Sequence, residues 1–147
     1  MRMQPTWKRD YEAYQIYQAL ESLVQEMDDF VDAVVVEGAR DKAALRGLGT
    51  TKEILMCCSG FSCARLVDYL GSKYKKKRVA ILTDYDRAGN GFNKKLSARL
   101  EREGVRVERR FREAVGRILK ARGMQCVESI NSFRRLDFAA FPLTPSH

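Results

Sequence analysis

The sequence predicts an α/β fold, with a mostly parallel sheet of about four strands flanked by helices. Three observations carry this. Short Val-, Ile- and Leu-rich runs at 33–36, 53–59 and 79–82 alternate with longer stretches of helical apolar spacing. The runs are continuously apolar, as strands buried on both faces of a parallel sheet are. Two of them end in acids with glycine close by: Glu37-Gly38, and Asp84-Tyr85-Asp86 followed by Gly89.

The elements follow in order. From Asp10 to Met27, Ala13, Tyr14, Tyr17, Leu20, Val24 and Met27 recur every three or four residues, the stripe of an amphipathic helix. Its aromatic side (Tyr11, Tyr14, Tyr17, Leu20) reads as cover for the core, with a stacking platform or a dimer contact as the alternatives. Ala33–Val36 is the first strand. A helix over Arg40–Leu48 stops at Gly49, the left-handed position that ends many helices. Glu53–Ser59 is a second strand, and Phe61–Ser72 is helical by Ala64, Val67 and Leu70. A basic linker, 73–78, leads into the third strand, Val79–Leu82. Phe92, Leu96 and Leu100 mark a helix ended by Gly104, and Val105–Arg109 is a short fourth strand. A helix over Phe111–Arg122 breaks at Gly123, and a last short helix, Glu128–Leu136, precedes a Pro-containing tail. The 147 residues suit one domain, with a core over 33–109, an N-terminal helix over 10–27 and basic C-terminal helices over 111–138.

Composition narrows the function classes. Hydrophobic residues make up 45% and charged residues 31%, the balance of an ordinary globular chain. No apolar run reaches the ~20 residues that span a bilayer. The start of the chain lacks an apolar signal core, so a cytoplasmic location without membrane attachment is expected. Cys57, Cys58, Cys63 and Cys126 do not form the paired knuckles of a structural zinc site, and the single histidine is His147. Buried thiols in a reducing compartment account for the cysteines. The net charge of +8 favours polyanionic partners, nucleic acid above all.

The acids at the strand ends carry the chemistry. In open parallel sheets, ligands bind beyond the carboxyl ends of the strands. Residues two apart on extended backbone point the same way, so Asp84 and Asp86 are expected to face one spot, with Glu37 arriving from another strand. Three converging carboxylates repel one another unless a cation lies between them. Hard oxygen donors of this kind suit Mg²⁺ or Mn²⁺. Gly38 and Gly89 are expected to give the sharp turns and the room a phosphodiester needs. Asp84 or Asp86 as a plain helix N-cap is the competing structural reading.

Val34-Val35-Val36-Glu37-Gly38-Ala39-Arg40-Asp41-Lys42-Ala43-Ala44-Leu45 resembles the first motif of Toprim domains. Leu82-Thr83-Asp84-Tyr85-Asp86-Arg87-Ala88-Gly89 resembles the second. The likeness covers about Ala33–Arg109, and the compact size is similar to that of short stand-alone archaeal Toprim proteins and of the Toprim domain of 5S ribosomal RNA maturases. The resemblance implies a Rossmann-like sheet, Glu37 as general acid/base, Asp84 and Asp86 as metal ligands, and a secondary role for Asp41. Glu37 as a third metal ligand is equally open. A topoisomerase needs a separate tyrosine-bearing domain, and a primase needs template and nucleotide machinery; neither fits this length. Tyr85 is expected to point away from the aspartates and to pack or stack.

Cations surround these motifs. Arg40, Lys42 and Arg46 follow Glu37-Gly38, and Arg87, Lys94 and Lys95 follow Asp84-Tyr85-Asp86. All six are candidates for contacts with a nucleic-acid backbone. Arg109, Arg110, Arg112, Arg117, Lys120 and Arg122 form a second block, and Arg134–Arg135 a third. Phe111, Val115, Ile118 and Leu119 share a face between those charges, so this helix is expected to pack its apolar side and display its cations. The expected activity is Mg²⁺-dependent endoribonuclease action on structured RNA, with precursor 5S ribosomal RNA the substrate that the resemblance favours. RNA is favoured over DNA, and ribosomal proteins are possible partners. The alternatives are a non-catalytic RNA- or ribosome-binding protein and a DNA-repair or primase-associated accessory.

Overall fold

The computed structural model describes residues 6–57 and 62–135. Its elements are α1 (Thr6–Phe30), β1 (Ala33–Val36), α2 (Ala39–Gly47), β2 (Glu53–Met56), α3 (Cys63–Lys73), β3 (Arg78–Ile81), α4 (Arg87–Arg102), β4 (Arg106–Glu108), α5 (Arg110–Ala121) and a 3₁₀ segment (Val127–Arg135). The four strands form an all-parallel sheet in the order β2-β1-β3-β4. The expected end of the second strand at 58–59, the expected helix start at Phe61, and residues 136–147 lie outside the described residues.

Strand alternation divides the core in two. Val34 and Val36 of β1, Ile54 of β2, and Ala80 and Leu82 at β3 face α1, α2 and α5, where they meet Leu20, Val24, Met27, Leu45, Phe111, Val115 and Leu119. Ala33 and Val35, Leu55, Val79 and Ile81 face the other way, onto Leu66 and Leu70 of α3 and Leu96 and Leu100 of α4. Helices on both sides explain why β1 is wholly apolar and wholly buried.

The expected helix stops at Gly49, Gly104 and Gly123 all have positive φ, the backbone a C′ glycine supplies. Boundaries moved where hydrogen bonds outweigh hydrophobic spacing. α4 begins at Arg87, well before Phe92, because the Asp86 side chain caps it, accepting from Gly89 N–H at 2.7 Å. β3 begins at Arg78, outside its apolar run, because it pairs with Arg106. The last expected helix is a 3₁₀ segment instead. Among the described residues, no helix is long and apolar enough to cross a membrane.

Candidate metal centre

β1 and β3 are neighbours in the sheet but not in the chain, so the strand order reverses between them. That reversal opens a crevice at the carboxyl ends of the two strands. Glu37 is the first residue after β1, and Asp84 follows β3 by three residues. The two meet there: Asp84 N–H donates to Glu37 Oε1 at 3.1 Å. The Asp84 carboxyl is pushed up to about 7. Burial is the main cause, followed by the Glu37 charge and a side-chain hydrogen bond with Glu37, and then by the charges of Asp41 and Asp86.

The other acids of the two motifs are already engaged. Asp86 caps α4 through Oδ1. Asp41 is buried, and both its oxygens accept backbone N–H groups, Oδ2 from Gly38 at 3.1 Å and Oδ1 from Glu128 at 2.9 Å. It thereby ties the start of α2 to the 3₁₀ segment. The expected three-way convergence is thus a close pair, Glu37 and Asp84, with Asp41 and Asp86 nearby. Alternation to one side requires extended backbone through Asp86, whereas β3 ends at Ile81. Among the described residues, no three His, Cys, Asp or Glu side chains gather into a set able to hold one ion.

The two glycines differ from each other. At Gly89 a Cβ would lie 2.0 Å from the Asp84 carbonyl oxygen, so only glycine lets α4 start against this loop. Gly38 has an ordinary extended φ of −146°, and a Cβ there would meet nothing within 4 Å. The expected sharp turn at Gly38 is absent; what remains is open space beside Glu37.

Sequence reasoning placed Arg112 in a displayed basic block, and the structure corrects this. Arg112 is 7% exposed. Its Nη1 donates to the carbonyl oxygens of Thr83 (2.7 Å) and Ile81 (3.2 Å), and Nη2 to those of Asp84 (3.0 Å) and the Asn90 side chain (2.9 Å). The guanidinium also lies 4.4 Å from the centre of the Tyr85 ring. Burial draws its pKa down, while the charges of Tyr85, Glu37 and Asp84 oppose that shift. One side chain of α5 therefore fixes the backbone of the loop that carries the aspartates and puts a positive charge behind the acids. The signal was available, since residue 112 shares a helical face with Val115 and Leu119. Tyr85 does point away from the carboxylates, with its hydroxyl donating to the Arg112 carbonyl at 2.8 Å.

Among the flanking cations, Arg40, Arg87, Lys94 and Lys95 are exposed and Lys42 is half-buried. Arg46 is exposed too, but its Nη1 donates to the carbonyls of Thr50 and Lys52, both at 2.8 Å, holding the α2–β2 turn.

A parallel α/β sheet with an acidic pair at its strand-order reversal defines the class, and the chain belongs to the Toprim-like family, whose match spans residues 34–116. That span includes Glu37, Asp84, Asp86 and Arg112. Among similar proteins, UPF0292 protein PYRAB04740 of Pyrococcus abyssi is 34% identical over 127 residues, 86% of this chain and 92% of that protein. A UPF0292 protein of Thermococcus gammatolerans is 38% identical over 104 residues, 71% of this chain and 75% of its own. A solved structure of a protein from Aquifex aeolicus matches with a TM-score of 0.57 and 28% identity, covering 79% of this chain and 95% of that one. Membership in this family connects the chain with nucleic-acid-related, metal-binding function.

Proposed function

We propose that the protein is a Mg²⁺- or Mn²⁺-dependent phosphodiesterase acting on structured RNA. The observation that carries the reading is the Glu37–Asp84 pair, two half-buried carboxyls against each other at the carboxyl ends of adjacent central strands. Such a pair wants a cation, and Mg²⁺ is commonly held by one or two carboxylates with waters and substrate phosphate filling the rest. Glu37 and Asp84 would hold it, with the uncapped oxygen of Asp86 close by. A bound ion there would supply charge stabilisation at the phosphate and a more acidic water.

The chain's own residues provide the rest. Glu37 stands where it can take or return a proton. Arg112 fixes the Asp84 loop by donating to its backbone carbonyl and places a positive charge behind it. The open space over Gly38 leaves room for a phosphodiester beside Glu37. Arg40 and Lys42 on one side and Arg87, Lys94 and Lys95 on the other offer phosphate contacts that give affinity without sequence readout. Maturation of precursor 5S ribosomal RNA is the substrate reading favoured by likeness to the maturase branch.

The test is incubation of purified protein with total cellular RNA and with a precursor 5S transcript, in Mg²⁺ or Mn²⁺, beside Asp84→Asn and Glu37→Gln. Discrete products from the wild type alone, with RNA binding kept in both variants, support the enzyme, and their ends name the substrate. Tight, salt-sensitive binding without cleavage would instead leave an RNA-binding protein.

A further inference from the structure

A cavity of about 590 Å³ opens between α4 and α5, on the side of the Asp84–Asp86 loop to which Tyr85 points. The acidic pair makes no use of it. Its size falls within the range of small-ligand sites, roughly 300–1,000 Å³. Its chemistry is divided. Tyr85, Gly116 and Met124 supply an apolar floor, and Gly116 is needed there, because a Cβ would lie 2.5 Å from the Tyr85 ring.

The walls are polar and mostly cationic. Arg109, Glu113, Arg117 and Lys120 recur along one face of α5 and line the cavity. Arg109 pairs with Glu101, whereas Arg117 and Lys120 form no ion pair among the described residues. Asn90 has both ends of its amide engaged, with Tyr85 and Arg112. The Asn93 oxygen accepts from the Ser97 hydroxyl at 3.3 Å, which leaves the Asn93 NH₂ and the Gln125 amide to face the cavity, and Glu113 to offer an acceptor.

An apolar floor, amides and one carboxylate suited to a base edge, and two unpaired cations suited to a phosphate describe one nucleotide. We propose that this cavity receives a single unpaired nucleotide of the nucleic-acid substrate, extruded from its helix. The proposal rests on the nucleic-acid reading above and deepens it. Unpaired bases are where RNA shows its hydrogen-bonding edges, and proteins commonly read them by extruding them from the stack. Tyr85, Asn90 and Arg112 belong both to the cavity and to the scaffold of the Asp84 loop, so the occupant abuts the loop that carries the metal-ligand candidate. The cavity would thus select substrates with a bulge or loop near the cleaved bond.

The test measures binding by the full-length protein in EDTA, which makes it independent of metal and cleavage. The probes are an RNA hairpin with one bulged nucleotide, the same hairpin without the bulge, and adenosine 5′-monophosphate. The wild type should prefer the bulged hairpin by about tenfold, the scale of one base-sized contact. Asn93→Leu, which keeps the shape of the side chain but removes its amide, and Arg117→Glu/Lys120→Glu should each remove that preference. Lys75→Glu/Lys76→Glu, at the turn before β3, should keep it. Equal affinity of the wild type for both hairpins would overturn the proposal. So would an equal loss of preference in Arg117→Glu/Lys120→Glu and Lys75→Glu/Lys76→Glu, which would mark a general charge effect. Saturable mononucleotide binding without a bulge preference would assign the cavity to a free nucleotide and also overturn it. Cleavage lost in Asp84→Asn with no bulge preference would leave the nuclease reading standing alone.

Discussion

At the amino end of the sheet, Glu53 opens β2 and accepts hydrogen bonds from the Tyr69 hydroxyl (2.7 Å), the Tyr74 hydroxyl (2.5 Å) and the Lys73 ammonium (3.1 Å). At the carboxyl end, Asp84 faces Glu37, with Asp41 and Asp86 near. Burial works against the charge of both Glu53 and Asp84. At Glu53 the hydrogen bonds of Tyr74, Tyr69 and Lys73 outweigh it, and the pKa ends below the ordinary value. At Asp84 like charges add to it, and the carboxyl rises to about 7. The acid that holds structure together is surrounded by donors; the acid assigned to a cation in the proposed function is left among other acids.

The two acids should differ most in their effect on activity. Asp84→Asn and Glu37→Gln should each cut metal-dependent cleavage by about 10²–10⁴-fold, the range of a lost acid–base or ligand group. The melting temperature should hold or rise, because a like-charge contact is removed. Glu53→Gln should do the reverse, keeping cleavage and losing stability. Full cleavage by Asp84→Asn would mean that the pair is structural after all.

Arg112→Met should come next in size. It strips the donor from several buried carbonyl oxygens at once. A loss of about 3 kcal/mol in urea unfolding is expected, from the cost of stranding buried acceptors. Gly89→Ala should lose ~2 kcal/mol, since its Cβ meets backbone that has little freedom to retreat. Gly38→Ala should instead gain roughly 0.5 kcal/mol, because its φ suits any residue and the unfolded chain loses freedom. Thermal melts of the two variants, moving in opposite directions, would separate the two glycines.

Stability should also depend on pH. Asp28 accepts from the Thr51 hydroxyl and from the backbone N–H groups of Thr51 and Lys52. Burial alone would raise its pKa, but these bonds bring it below the ordinary value, as at Glu53. A depressed carboxyl contributes stability above its unfolded pKa and loses it as pH falls through the folded one. Stability should therefore drop below about pH 4.5, the ordinary value of Glu53. Glu53→Gln should flatten that drop by about 1 kcal/mol at most, since its side chain is 35% exposed and solvent screens it. An unchanged acid limb in Glu53→Gln would locate the effect at Asp28.

Strand and helix identity were legible because burial on both faces leaves Val34-Val35-Val36 no polar position, and helical spacing marks α1 and α5. Glu37 and Asp84 were legible because an acid that ends a buried strand has few structural uses. The partnerships of Asp41 and Asp86 were not, because they depend on backbone N–H groups whose positions no side-chain pattern encodes. Arg112 was hidden by composition: among so many surface cations, one at a buried helical position looks like the rest. Only the helical face it shares with Val115 and Leu119 distinguishes it.

Two tethers join the last described stretch to the acidic crevice. The Gln125 carbonyl accepts from Tyr85 N–H at 2.6 Å, and Glu128 N–H donates to Asp41. One reaches the β3–α4 loop and the other the start of α2, so residues 125–128 clasp both motifs. During synthesis the sheet can pair as soon as β4 has emerged, yet the clasp closes only after those later residues leave the ribosome. A nascent chain stopped between Ala121 and Gln125 would then hold the sheet and its covering helices with the crevice still unfastened.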